Sequence, residues 1–153
     1  MPKIEIDALE VRSGCSYPHP FKEICLGATW RRLGDAAGLT DFGVNLVRLP
    51  PGKWSSQRHW HTHEDELVYV LEGEVVLVED DGDLVLRPGD CAAWKAGEPG
   101  QAHHLQNRSD RDAVYIEIGS RRPDADECDY PDIDMVTGPG GYQHRDGRLY
   151  PED

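Results

Sequence analysis

The middle of the chain alternates between short apolar runs and turn-forming residues, a pattern typical of β-strands. Candidate strands, most of them rich in Val, Leu, Ile or aromatic residues, are the short runs at 44–49, 67–71, 75–78, 84–86, 91–94, 102–106 and 113–118. Clusters of Gly, Pro and Asp separate these runs, and the Asp-Asp-Gly-Asp stretch at 80–83 is typical of a hairpin turn. No segment shows a sustained 3.6-residue period. The pattern therefore predicts an all-β sandwich or barrel.

The two ends of the chain show weaker patterns. Residues 4–11 are apolar and alternating enough to predict a strand, and residues 31–37 fit a short helical turn. After residue 119 the chain is rich in Pro, Gly and Asp, and residues 141–150 fit either a small hairpin or a flexible tail. We therefore predict an N-terminal extension (1–41) packed on the barrel, a barrel core (42–119) and a C-terminal extension (120–153).

Size and charge limit the classes of partner. The 153 residues are enough for one domain, since a domain of this size buries roughly 70% of its unfolded surface. The formal net charge is −13, so phosphate backbones and anionic membrane surfaces repel the chain, and we expect neither nucleic-acid nor membrane partners. The arginine pairs at 31–32 and 121–122 lie outside any longer basic stripe and are predicted to be solvated surface features.

The cysteines and the first residues indicate a cellular compartment. The four cysteines form no C-x-x-C pair, and the N-terminal residues lack the apolar stretch of a signal peptide. No apolar run is long enough to span a bilayer. We therefore expect reduced thiols and a cytoplasmic protein. Cys91 lies in a predicted strand and is expected to be a small buried hydrophobe.

The most concentrated chemistry is the run His-Trp-His-Thr-His-Glu-Asp-Glu at residues 59–66. Two histidines two residues apart project from one face of a strand, with attachment points about 7 Å apart, so their imidazoles can converge on one ion. A carboxylate from the same run and His103 further along complete the set. This composition suits Fe(II), Mn(II), Ni(II), Zn(II) or Cu(II).

The same residues match the first motif of the cupin superfamily. That motif is a Gly, a short spacer, His-x-His, three or four residues, a Glu, six residues and a second Gly. It corresponds to Gly52, His59, His61, Glu66 and Gly73. The spacer after Gly52 has six residues here, where five is commoner, and a loop can absorb the difference.

The second cupin motif follows in the expected order. Its glycines, histidine and asparagine correspond to Gly89, Gly97, His103 and Asn107. Lys95 stands where the motif has a proline, and the gap between Gly97 and His103 is longer than the shortest form. Neither departure touches a position that binds metal. The chain thus resembles a small single-domain cupin of the Cupin_2 type.

The resemblance implies a double-stranded β-helix, also called a jelly-roll or cupin barrel, that holds one divalent transition metal near its open end. The implied ligands are His59, His61, Glu66 and His103. Asn107 would support a ligand or a turn rather than bind the ion. Family members commonly pair their N-terminal strands across subunits, which implies a homodimer.

Two alternatives stay open at the metal site. His61, His63 and Glu66 form a second His-x-His set, and the gap to the next motif glycine fits both sets. The spacing after Gly52 favours His59 with His61. A metal-free barrel with mutually hydrogen-bonded histidines is disfavoured, because burying three imidazoles and a carboxylate without an ion is costly.

Four protein ligands leave two positions on an octahedral ion, enough for a small oxygen-bearing metabolite or for a substrate plus dioxygen. The resemblance thus implies a metal-dependent enzyme, either a dioxygenase (an oxidoreductase) or a redox-neutral isomerase or lyase. A non-catalytic metal-containing module that binds or senses a small molecule is the alternative.

The candidates for a general base are Glu117, Tyr115 and His63. Glu117 lies between two isoleucines in an apolar predicted strand, and it shares one face of that strand with Tyr115. This face either lines a polar pocket or lies outward in the solvent. The pattern favours the outward placement by a small margin.

Overall fold

The computed structural model describes residues 3–152, which form many short β-strands and very little helix. The strands are β1 (Arg12–Ser13), β2 (Thr29–Arg32), β3 (Phe42–Leu49), β4 (Trp60–His61), β5 (Glu66–Glu72), β6 (Val75–Glu79), β7 (Gly82–Leu86), β8 (Cys91–Trp94), β9 (His104–Gln106), β10 (Ala113–Ser120), β11 (Cys128–Tyr130), β12 (Met135–Gly138) and β13 (Gly141–Gln143). The helix α1 (Leu33–Ala36) is one turn, and 3-10 turns cover Ile6–Ala8, Glu23–Cys25 and Pro99–Gln101. The predicted all-β class is confirmed.

All seven strands predicted from the apolar runs are present, as β3 and β5 to β10. The turn between β5 and β6 depends on Gly73, which has a φ of 68°. A side chain there would place its Cβ 2.6 Å from the carbonyl oxygen of Asp112. Only glycine avoids both the strained backbone and the clash.

The strands form layered antiparallel sheets of the jelly-roll type. The largest sheet has the order β1-β2-β3-β10-β5-β8, and β10 pairs with both β3 and β5. The smaller sheets have the orders β7-β6-β9 and β13-β12-β11-β4. Bridges between His59 and His103 and between Trp54 and Gln106 join the segments around the smaller sheets. The double-stranded β-helix predicted from the resemblance is therefore confirmed.

The apolar core lies between the layers and follows the alternation along each strand. Leu49, Val70 and Val75 have no exposed surface, and Tyr115 of β10 retains only 1%. Each such side chain stabilises the fold by roughly 1.5–3 kcal/mol through burial of apolar area. Next to His59, His61 and His103, a cavity lies between the layers where the apolar core ends.

The N-terminal predictions hold only in part. The strand predicted at residues 4–11 is wrong, because Ile6–Ala8 form a 3-10 turn whose residues lie exposed. A strand needs a partner for its backbone groups, and pairing begins only at Arg12, opposite Trp30. The helical turn predicted at 31–37 is present as α1, while Arg31 and Arg32 end β2.

The C-terminal extension is folded against the barrel. Of the two alternatives for residues 141–150, the structure shows the hairpin, with a bridge between Gln143 and Leu149 and a bond from the His144 N–H to the Arg148 carbonyl. Strand β11 pairs with β4, which places Cys128 opposite His61. The extension also shares a second apolar cluster with the N-terminal segment, centred on Tyr17, Cys25, Tyr130 and Met135.

All four cysteines are free thiols. Cys91 begins β8 as predicted, but its expected burial is wrong, because its side chain is exposed. Pairing with Tyr69, another exposed residue, places Cys91 on the outer face of the sheet. Within residues 3–152, every helix is too short and too polar to cross a membrane.

Candidate metal centre

The fold brings the four residues of the implied ligand set together at one end of the cavity. His59 and His103 face each other across an isolated bridge, with reciprocal backbone N–H to carbonyl distances of 3.1 and 2.9 Å. His61 ends β4, and Glu66 begins β5. The sequence spacing therefore becomes a convergence of four side chains from three separate segments.

The four side chains meet through a small set of atoms. Nε2 of His61 lies 3.2 Å from Nε2 of His59 and 3.1 Å from Oε1 of Glu66. Oε2 of Glu66 lies 2.6 Å from Nε2 of His103 and 3.7 Å from Nε2 of His59. Three imidazole nitrogens and one carboxylate thus crowd one point, as ligands of a single ion do.

Two of the histidines are oriented from behind by backbone carbonyls. Nδ1 of His59 lies 2.8 Å from the carbonyl oxygen of Gln57, and Nδ1 of His103 lies 2.8 Å from that of Gln101. A carbonyl only accepts a hydrogen bond, so Nδ1 carries the proton in each ring. Each Nε2 is then left with a lone pair that faces the cluster, which is the tautomer a metal ligand needs.

His61 is held from behind by residues that the motifs did not predict. Its Nδ1 lies 2.6 Å from Oδ2 of Asp126 and 3.3 Å from Sγ of Cys128. Oδ1 of Asp126 accepts the backbone N–H groups of His63 and Glu64 at 2.9 and 3.1 Å. Burial raises the pKa of the Cys128 thiol, which therefore stays neutral. Asp126 and Cys128 are metal-ligand types of residue two positions apart, and this spacing is the sequence signal that could have predicted their place at the site.

The chemistry of the cluster fits a divalent transition metal. Oε2 of Glu66 is buried without a hydrogen-bond partner, since the close contact to His103 lacks hydrogen-bond geometry. A buried carboxylate oxygen facing imidazole nitrogens calls for a cation, and three nitrogens with one carboxylate suit the first-row metals.

The second histidine set is separated by the fold. His63 is exposed, and its Nδ1 lies 2.8 Å from Oγ1 of Thr62, away from the cluster. His104 is buried on the opposite side of its strand from His103, where it packs edge-on against Trp54. The geometry thus groups His59 with His61 and leaves His63 and His104 outside the cluster.

A cavity of about 520 Å³ opens beside the cluster. Trp94 forms part of its wall and stacks on His103, with ring centroids 3.6 Å apart and planes 4° from parallel. Tyr115 and Glu117 also line this cavity, so the outward placement that the sequence pattern favoured is wrong. Around Tyr115 and Glu117, β10 faces a cavity instead of the apolar core, so polar side chains can point inward there.

Glu117 is hydrogen-bonded to Asn45, whose own side-chain oxygen has no hydrogen-bond partner. Its Oε1 accepts a hydrogen bond of 3.0 Å from Nδ2 of Asn45. Burial raises the pKa of Glu117 above its ordinary value. Oδ1 of Asn45 is buried without a partner, although buried polar atoms are nearly always hydrogen-bonded. This wall of the cavity therefore offers an acceptor and a carboxyl group to an occupant with hydroxyl groups.

Arg121 is exposed, with 41% of its side chain accessible, as predicted for the paired arginines, but it is more than a surface residue. It lines the cavity one residue after the end of β10. Its Nη2 donates to Oδ1 of Asp35 at 2.7 Å. Two-residue alternation after Tyr115, Glu117 and Gly119 directs this side chain inward.

Comparisons with known proteins agree with this architecture. The Cupin domain family model (Cupin_2) matches residues 45–119. A crystal structure from Silicibacter pomeroyi, described as a sugar phosphate isomerase from a cupin superfamily, is 43% identical with a TM-score of 0.91; the match covers 98% of this chain and 97% of that one. A candidate sugar phosphate isomerase from Acidithiobacillus ferrooxidans is 31% identical with a TM-score of 0.71, over 80% and 77% of the two chains.

A curated relative carries a different description. The oxalate-binding protein of Thermotoga maritima is 31% identical over 72 residues, which are 47% of this chain and 56% of that protein. The chain thus matches little more than half the length of this relative. The near-complete match to the Silicibacter structure, the confirmed jelly roll and the matched domain model together show that the chain belongs to the cupin superfamily.

Proposed function

We propose that the protein is a metal-dependent enzyme that interconverts an aldose phosphate and a ketose phosphate without net oxidation. The observation that carries this proposal is a second carboxyl group, the partly buried Glu117, in the cavity that the metal cluster borders. An isomerase needs a group that removes and returns a proton beside a polarised carbonyl. The Silicibacter protein, similar over nearly the whole chain, supports a sugar phosphate as the substrate class.

In this proposal His59, His61, Glu66 and His103 hold the ion. A divalent ion there supplies Lewis acidity, which lowers the cost of negative charge on a substrate oxygen. Glu117 takes the proton from the carbon next to the carbonyl and returns it to the former carbonyl carbon, while the hydroxyl proton passes between the two oxygens. Atoms and electrons balance, so no oxidant is required.

The neighbours of Glu117 suit this task. Asn45 fixes one carboxyl oxygen and offers its own unpartnered Oδ1 to a substrate hydroxyl. The raised pKa of Glu117 makes the carboxylate a stronger base than an exposed glutamate. Burial raises the pKa of Tyr115 well above its ordinary value, so its phenol stays protonated and serves as a neutral donor or acceptor.

The direct test is isomerisation by protein depleted of metal and then reloaded with one ion at a time. Aldose and ketose phosphates are incubated with it in D₂O, and NMR follows both product and deuterium incorporation at carbon. Glu117→Gln is expected to lower kcat by about 10²- to 10⁴-fold with unchanged metal stoichiometry. Glu72→Gln, an exposed carboxylate at the end of β5, is the matched control and keeps wild-type activity.

Other outcomes identify the alternatives. Absence of both product and deuterium exchange with every metal would contradict the proposal. Tight oxalate binding without turnover would favour the binding module, in line with the Thermotoga relative. Oxygen consumption by the iron-loaded protein would favour the dioxygenase.

A further inference from the structure

We infer that Arg121, seated over Gly43 and anchored by Asp35, is the residue that selects a phosphate monoester on the substrate. This inference rests on the proposed function, because it assigns the other end of the substrate to a specific place in the same cavity. Three observations carry it, namely the position of Arg121 relative to the metal cluster, the space made for its guanidinium, and the positive charge that it alone among lysines and arginines of the described lining brings to the cavity.

The pairing of β3, β10 and β5 fixes the position of Arg121 relative to the metal cluster. Glu66 of β5 is opposite Gly119 of β10, and Gly119 is opposite Gly43 of β3. Neighbouring strands lie 4.7–4.9 Å apart, so Gly43 is about 10 Å from the backbone of Glu66 across the sheet. The two glycines add no side chain to this row. Between the metal cluster and Arg121, the surface of the sheet therefore carries no side chain in this row.

The guanidinium occupies space that only a glycine leaves. A Cβ at position 43 would lie 2.9 Å from Nη2 and 3.0 Å from Nε of Arg121. The Arg121 backbone N–H donates to the carbonyl of Asp41 at 3.1 Å, and Nη2 donates to Asp35. Arg121 is thus held by Asp41 at its backbone and by Asp35 at its guanidinium, which lies against Gly43 of β3.

The guanidinium is the cationic group that an anion would find on this wall, where the carboxylates of Glu64, Glu66 and Glu117 also lie. Among the cavity-lining residues that the structure describes, Arg121 is the sole lysine or arginine. Asp35 engages one of its five N–H donors and also lies 3.6 Å from Arg32, so two guanidinium groups share one carboxylate. Nearby Glu64 already accepts the backbone N–H of Arg122 at 2.7 Å. The remaining forked donors of Arg121 match phosphate oxygens.

The separation between the metal cluster and Arg121 favours a sugar phosphate over a small dicarboxylate as the ligand that contacts both. An open-chain sugar phosphate carries its carbonyl at one end and its phosphate at the other, so it can reach both the metal cluster and Arg121. Oxalate has its two carboxylates on adjacent carbons and cannot bridge about 10 Å. Arg121 thus selects sugar phosphates over oxalate by the length of the ligand as well as by its charge.

The test compares binding of glucose 6-phosphate and glucose to metal-loaded protein by calorimetry and by ³¹P NMR. Arg121→Gln is expected to weaken phosphate-ester binding about ten- to hundredfold and to leave glucose binding unchanged. Gly43→Ala should reproduce this loss, because the added Cβ displaces only the flexible end of Arg121. Arg122→Gln, which removes the same charge one residue away and outside the cavity wall, is the matched control.

Two results would overturn the inference: equal affinity of wild type and Arg121→Gln for glucose 6-phosphate, or wild-type affinity that does not depend on the phosphate. Binding is measured apart from turnover, so the two proposals can fail separately. Arg121-dependent phosphate binding without isomerisation would uphold the inference and contradict the proposed function.

Discussion

The carboxylate of Asp126 lies 2.6 Å from Nδ1 of His61, across 65 positions of sequence. The contact joins the C-terminal extension to the cluster that would hold the metal. Because the second oxygen of Asp126 binds the backbone at His63 and Glu64, one carboxylate fixes both the imidazole and the loop that follows it. The extension therefore contributes to the chemistry of the barrel as well as to its packing.

Replacing Asp126 by asparagine is expected to weaken metal binding. The change keeps the shape but removes the charge that orients His61, and loss of such a partner lowers metal affinity about 10- to 100-fold. Competition with a chromogenic chelator measures the affinity. Asp124→Asn, an exposed carboxylate two residues away, is the control and should retain wild-type affinity. Equal affinities for both variants would show that Asp126 has only a structural role.

Single alanine substitutions distinguish the two histidine sets. His59→Ala should abolish stoichiometric metal content, because Nε2 of His59 faces the cluster. His63→Ala should leave most of the metal in place, because its side chain is exposed. Elemental analysis of both variants, each reloaded with the same ion, checks the assignment. The reverse result would move the ligand set to His61, His63 and Glu66.

Glu117→Gln is expected to change how the stability of the metal-free protein depends on pH. Burial raises the pKa of Glu117 in the folded state, so between the ordinary carboxyl range and that raised value the folded state binds more protons than the unfolded state. Wild-type stability should therefore fall as pH rises through this window, and the glutamine variant should lack this part of the fall. Urea unfolding at a series of pH values measures the difference, and parallel curves would contradict it.

Asn107 is expected to contribute to stability without affecting the metal. Its side chain is 1% exposed, and its amide donates to the carbonyls of Leu49 and Arg111 at 2.8 Å each. Its oxygen accepts two bonds from Ser109. Asn107→Ala removes all four of these hydrogen bonds and should lower the free energy of unfolding by about 3 kcal/mol.

Chemical denaturation checks the Asn107 prediction. Ser109→Ala removes one of the partners and should cost about 1 kcal/mol. Both variants should keep wild-type metal content when folded, because the hydrogen-bond partners of both residues lie outside the cluster. A loss of metal from folded Asn107→Ala would instead link Asn107 to the ligands.

Motif spacing and apolar alternation were sufficient to predict the strands of the barrel and the convergence of four side chains. They did not predict which way β10 faces. Glu117 is flanked by isoleucines, and its pattern is the same whether a core, a cavity or solvent lies behind it. The homodimer and the cytoplasmic location stay predictions, because both depend on more than the contacts within one chain.

The sequence by itself determined the local order of this protein, because strand alternation and the spacing of histidines on a strand are properties of near neighbours. The tertiary structure alone decided which distant groups meet at the site. Asp126 reaches His61 because β11 pairs with β4, and Arg121 reaches the cavity because glycine at 43 leaves room beside β10. Such contacts depend on how the sheets close on one another, and no short stretch of residues encodes that closure.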